Sequence, residues 1–161
     1  ETVSPQNNLI FAKIMKDALT ILCSKINLII TMPNADTLGS VYRKELNQLK
    51  SSNPEKVLLI ENFGKVNYFN AMFYSTLLIG NTSSGIIEAA SFNKYVINVG
   101  DRQKGRTHGP NVFNSGFDSS TIIELYSNLI TQKKIKMNNI YFKKDTAKKI
   151  IKTLKNTLSN D

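Results

Sequence analysis

Four short apolar runs, each followed by a polar loop and separated by stretches of helical periodicity, leave this chain few folds to choose from. The runs cover 28–31, 56–60, 76–80 and 95–99 and are dominated by Leu, Ile and Val. Runs this short, with little polar alternation, read as strands buried on both faces. Ser4-Pro5 forms a cap and first-turn pair. After it, Ile10, Phe11, Ile14, Ala18, Leu22 and Ile26 recur at helical spacing. Further helices are predicted over 41–50, 68–73, 84–92, 119–130 and 145–158, with a short fifth strand over 111–113. In the last helix Ala147, Ile150, Ile151, Leu154 and Leu158 share one face, with lysines opposite.

Strands alternating with helices imply parallel pairing under helices on both sides, a Rossmann-like three-layer α/β fold. The 161 residues suffice for one domain, 1–161, and no internal repeat is present. The loops 32–37, 61–64, 80–85 and 100–110 all follow strands, so they converge on the carboxyl edge of the sheet, where such folds bind ligands.

The most informative of them is Gly80-Asn81-Thr82-Ser83-Ser84-Gly85-Ile86-Ile87-Glu88. Small residues let a ligand approach the backbone, and a helix N-terminus offers free N–H groups and a positive dipole end to phosphate. Ser83 and Ser84 add hydroxyl donors. Glu88, one turn in, can accept hydrogen bonds from sugar hydroxyls. The plainer reading is that Ser84 caps a helix. A capping box places Glu or Gln three residues after the serine, and Ile86 and Ile87 stand there, so capping leaves Glu88 unexplained.

In the loop Gly100-Asp101-Arg102-Gln103-Lys104-Gly105-Arg106, three cations fall within five residues. Guanidinium forks suit diphosphate oxygens, and Asp101 is a candidate to orient one arginine. The alternative is a solvated loop. Phe63 either stacks on a base or packs in the core. Asn34 and Asp36 either contact a sugar or form an Asx-turn. His108, the sole histidine, has no visible Asp or Cys partner. No His/Cys cluster, nucleophile elbow or Walker pattern occurs, so neither metal nor cofactor is expected.

The formal charge of +9 raises nucleic acid as a partner, but residues 133–161 hold nine Lys against two Asp, and the other 132 residues carry only +2. The excess is lysine, four of the nine on the last predicted helix, without the arginine that reads bases or the aromatic interleaving of a nucleic-acid surface. A solvated face is expected. No apolar run approaches a membrane span, no signal peptide is visible, and Cys23 within a helix reads as a small buried apolar residue. A lone cysteine allows no internal disulfide, which fits a reducing cytoplasm.

Taken together, these motifs resemble the hydrolysing UDP-N-acetylglucosamine 2-epimerases, in the branch serving sialic and related nonulosonic acids. The likeness rests on Met32-Pro33-Asn34-Ala35-Asp36 with Gly39-Ser40, on Glu61-Asn62-Phe63-Gly64 with Tyr68 and Met72, and on the serine turn. It extends through 96–106 to Asn111-Val112. The resemblance implies the C-terminal half of a glycosyltransferase-B-like fold, with an N-terminal domain of the same protein as partner and a homodimer at full length. It implies that Ser83, Ser84 and Gly85 hold the UDP phosphates, Glu88 the ribose and Arg102 the diphosphate. Arg106 would support the loop, and Phe63 would lie near uracil. The reaction implied converts UDP-N-acetylglucosamine and water to N-acetylmannosamine and UDP. Its acid–base carboxylates would lie outside this chain, which alone would bind UDP weakly and not epimerise. Leu38 lengthens the loop before Gly39 relative to the family pattern. Two alternatives use the same half-fold: hydrolytic epimerisation of a UDP-diacetamido-trideoxyhexose, as on the legionaminic acid route, and transfer of a UDP-sugar to an acceptor.

Overall fold

The computed structural model describes residues 5–33, 39–133 and 136–158. The elements run α1 (Pro5–Cys23), β1 (Leu28–Thr31), α2 (Gly39–Ser52), β2 (Val57–Ile60), α3 (Gly64–Tyr74), β3 (Leu77–Gly80), α4 (Ser83–Ile87), a 3-10 turn (Ala89–Phe92), β4 (Tyr95–Val99), β5 (Val112–Ser115), α5 (Ser119–Ile130) and α6 (Thr146–Leu158). Ser4, the expected first cap, lies outside the described residues.

All strand pairs are parallel. β4 is the centre of a three-strand set, with Ile97 opposite Ile79 of β3 and Phe113 of β5. All five β4 residues are buried. Strand alternation deals its side chains to two cores. Tyr95, Ile97 and Val99 enter a core built with Leu22 of α1, Leu49 of α2 and Ile122 of α5. Val96 points the other way, into a smaller cluster with Met72 of α3, Ile86 of α4 and Ala89. That is the expected helix–sheet–helix layering, a Rossmann-like half-fold. Cys23 lies in the larger core, where burial raises its thiol pKa.

The continuous sheet expected from the sequence is divided. β1 and β2 pair with each other, Leu28 opposite Val57, and form a separate two-strand set that shares the larger core. One face of that pair is open, with Ile29 56% and Leu58 48% exposed. The reason is α3. It leaves β2 but packs on the 3-10 turn and the smaller cluster, Phe69 lying 5.5 Å from Phe92, so it does not cover β1–β2.

Element boundaries also differ. α3 starts at Gly64 rather than 68, because the Asn62 side chain accepts from Gly64 N–H at 2.7 Å. The helix expected over 84–92 breaks into α4 and the 3-10 turn, which ends at Asn93 in the left-handed conformation. β5 runs on past 113 through Asn114 and Ser115, whose partners are Asn98 and Val99. The last helix begins at Thr146 and buries no residue, so its apolar face closes on nothing among the described residues.

α5 is fixed by its cap. Asp118 accepts from the Thr121 N–H at 2.7 Å and from the hydroxyls of Thr121 and Ser120. These bonds favour the carboxylate and bring its pKa down to about 2. A lowered folded-state pKa means that the stability it adds is present above the unfolded value, near pH 4, and is lost as pH falls toward 2. Asp118→Ala should therefore be less stable than the parent at pH 7, with the gap narrowing between about pH 4 and 2, as urea unfolding across that range would measure.

Candidate functional site

The serine turn is built from the end of β3. Thr82, in extended conformation, is the N-cap of α4, and its hydroxyl accepts from the Ser84 N–H at 3.3 Å. Thr82, not Ser84, does the capping, which leaves both serine hydroxyls free of that duty. Ser84 Oγ is buried without a hydrogen-bond partner among the described residues, and so is Glu88 Oε2. The two residues are four apart and linked along the helix, Glu88 N–H donating to Ser84 C=O at 2.9 Å. Residues at that spacing share one helix face. Buried polar atoms in folded proteins are almost always paired, so this face is short of one donor and one acceptor. Ser83 is exposed at the first helical position. With only five residues, α4 supplies less dipole than the longer helix expected, so more of any anion affinity falls to side chains.

Gly85 has a packing reason. A Cβ there would stand 2.9 Å from Val96 Cγ1, so the absent side chain lets α4 sit directly on β4.

The arginine loop follows β4. Gly100 turns the chain at φ +79°, under the Phe117 ring, which is itself stacked on Phe11 at 4.0 Å. Arg102 and Arg106 are exposed, and neither side chain has a hydrogen-bond or ion-pair partner among the described residues. Asp101, expected to orient one of them, pairs with neither; its backbone carbonyl accepts from Lys104 N–H instead. The residue that ties the loop down is one the sequence reading left without a role. Gln103 is buried, and its amide donates to Asn81 C=O at 2.7 Å, joining this loop to the serine turn. A neutral amide standing among four charged residues was its only signal.

Behind the loop lies a cavity of about 290 Å³, lined among others by Asn98, Gln103, Arg106, His108 and Asn114. Asn98 of β4 donates to Asn114 Oδ1 at 2.8 Å, and Asn114 Nδ2 lies 3.4 Å from His108 Nε2. His108 Nδ1 is 3.0 Å from Gly109 C=O, so a proton on Nδ1 satisfies both contacts. Its neighbours are an amide and a carbonyl, not the carboxylate or thiol of a catalytic pair.

Phe63 lies in neither hydrophobic core. It is half-buried at the start of α3 and meets Tyr68 edge-on at 6.3 Å, and Tyr68 packs on the cluster that contains Ile86 of α4. Asn34 and Asp36 lie outside the described residues. Among the described residues there is no group of three metal-ligating side chains and no helix long and apolar enough to cross a membrane.

Parallel strands between helix layers, with polar loops after the strand ends, define a Rossmann-like domain. Residues 3–155 match the family model of UDP-N-acetylglucosamine 2-epimerase, and the chain belongs to that family. It is 34% identical over 134 residues to UDP-N,N'-diacetylbacillosamine 2-epimerase (hydrolyzing) of Legionella pneumophila, covering 83% of this chain and 35% of that protein. It is 39% identical over 89 residues to GDP/UDP-N,N'-diacetylbacillosamine 2-epimerase (hydrolyzing) of Campylobacter jejuni, covering 55% of this chain and 23% of that one. Its fold is similar to that of the Methanocaldococcus jannaschii UDP-GlcNAc 2-epimerase crystallised with UDP-GlcNAc and UDP. The TM-score is 0.68 at 12% identity, over 92% of this chain and 41% of that one. The matched stretch thus spans about a quarter to a third of the length of these curated relatives.

Gly85→Ala should cost about 1–3 kcal/mol, because the new methyl must displace Val96 in a close-packed layer. A lower urea midpoint at unchanged slope would register it.

Proposed function

We propose that this chain is the nucleotide-binding domain of a hydrolysing UDP-sugar 2-epimerase. The observation that carries the reading is the pair of buried, unpartnered atoms on one face of α4, Ser84 Oγ and Glu88 Oε2. A uridine diphosphate supplies what each lacks: phosphate oxygen for the serine hydroxyl, ribose hydroxyls for the carboxylate. Ser83 adds a second hydroxyl and Gly85 keeps the helix against the sheet. Arg102, whose side chain has no partner among the described residues, meets the diphosphate, and Arg106 supports the loop. Phe63 flanks the uracil.

In the reaction this reading implies, the sugar loses its C2 proton as the C1–oxygen bond to UDP breaks, leaving a 2-acetamidoglucal. Water then returns a hydroxyl to C1 and a proton to the opposite face of C2, giving the 2-epimer and free UDP. Negative charge grows on the departing diphosphate, where preorganised hydroxyl and guanidinium donors lower the barrier. The groups that move the C2 proton belong to a second domain, which the greater length of the relatives supports. The exposed apolar face of α6 offers that domain a surface to pack on. The full-length protein acts as a homodimer in the cytoplasm.

The names of the Legionella and Campylobacter relatives favour a UDP-diacetamido-trideoxyhexose as substrate. The name of the family model favours UDP-N-acetylglucosamine. Incubating the full-length protein with each nucleotide sugar, and identifying the released hexose, separates them.

Calorimetric titration of the full-length protein with UDP should give binding that Ser84→Ala and Arg102→Ala each weaken by about tenfold or more, the worth of a hydrogen bond to a charged group. UDP affinity unchanged in both variants would refute the assignment. Residues 1–161 alone should bind UDP weakly and release none from a UDP-sugar; sustained turnover by that piece would count against the second-domain assignment.

A further inference from the structure

One arginine holds the strand ends of the β1–β2 pair together. Arg43 projects from α2, the helix that connects these strands. Its Nη1 and Nη2 each donate at 2.8 Å to one oxygen of Glu61, the residue directly after β2. Its Nε and Nη2 also donate to Pro33 C=O, two residues past β1, at 2.9 and 2.6 Å. The guanidinium thus bridges two strand ends with four hydrogen bonds, two of them the parallel fork to a carboxylate that only arginine makes.

Stability alone does not account for this arrangement. The Glu61 side chain is 69% exposed, and ion pairs in such surroundings add little. Position accounts for it better. The β1–β2 pair shares no backbone hydrogen bonds with the β3–β5 set, and one of its faces is open. Beyond the Met32 N–H to Ile60 C=O bond at 2.9 Å, Pro33 and Glu61 lie past the last ladder bond of the pair. Two residues beyond Glu61 stands Phe63, and the turn between them is closed by Asn62 on Gly64 N–H. Mutual contact raises the Arg43 pKa and lowers that of Glu61, so the clamp stays charged across the neutral range.

We propose that Arg43 is a positioning residue for the nucleotide base: by clamping Glu61 to the end of β1, it sets where Phe63 presents its ring. The proposal rests on the UDP-binding reading above. It divides the site into a base end that depends on Arg43 and a diphosphate end, at Ser84 and Arg102, that does not.

The test compares two probes on the full-length protein, UDP and inorganic diphosphate, the second by competition. Arg43→Lys keeps the charge and loses the fork; Glu61→Gln keeps the shape and loses the charge. Each should weaken UDP about tenfold, comparable to losing one base–aromatic stack, while diphosphate affinity holds within about twofold. Phe63→Ala should do the same, and adding Arg43→Lys to it should cost little more, since both changes remove one interaction. Equal loss of both probes, additive losses with Phe63→Ala, or full UDP affinity in Arg43→Lys and Glu61→Gln would overturn the proposal. A parent protein that binds no UDP would sink the nucleotide reading itself, whereas one that binds UDP but ignores the clamp variants sinks only this one. If Arg43→Lys fails to fold, Glu61→Gln carries the comparison alone.

Discussion

The site depends on β4 being buried on both faces. A strand with helices above and below must present apolar side chains in both directions, and β4 does so with Ile97 on one side and Val96 on the other. Val96 decides the most. Its methyl occupies the space a side chain at position 85 would need, so α4 rests directly on the strand. That contact fixes the height of Ser84 and Glu88 above the sheet. The arginine loop leaves the same strand three residues later and is bound back to the serine turn through Gln103 and Asn81. Two chemically unlike segments thus keep one geometry because both are referred to a single strand.

The polar side of the site follows a similar economy. Thr82 uses its hydroxyl on the helix N-terminus, leaving those of Ser83 and Ser84 for an outside partner. Arg43 spends its side-chain hydrogen bonds inside the fold, while the side chains of Arg102 and Arg106 make none among the described residues. Two uses of the same residue type are therefore separable by their partners: an arginine with a carboxylate and a carbonyl organises backbone, and one facing solvent beside a glycine-rich turn is available to an anion.

Much of this was legible from the chain. Burial on both faces leaves apolar runs, so β3 and β4 were visible within a residue, and small residues between strand and helix marked the turn. What the sequence hid were choices between equivalent donors. Thr82, Ser83 and Ser84 are all competent caps, and only the backbone angles of Thr82 decide among them. Asp101 was a candidate to orient one arginine, but in the turn its backbone carbonyl takes the Lys104 N–H and its side chain pairs with neither guanidinium among the described residues. Gln103 and Arg43 acquired their roles from partners 22 and 18 residues away, and no local pattern encodes such distances. The open face of the β1–β2 pair was hidden for a similar reason. It follows from where α3 packs, and α3 looks the same in sequence whichever layer receives it.

The ring of Phe117 has a further consequence. It lies over Gly100, where the arginine loop begins, and it is stacked face to face on Phe11 of α1. A pair of flat rings in van der Waals contact thus joins the start of the loop to a helix nearly ninety positions earlier. Close-packed groups transmit displacement with little give, so α1 and the start of the loop shift as one piece. Leu9 and Ile10, on the neighbouring surface of α1, are exposed. Whatever presses on that end of the helix therefore bears, through packing, on the start of the arginine loop.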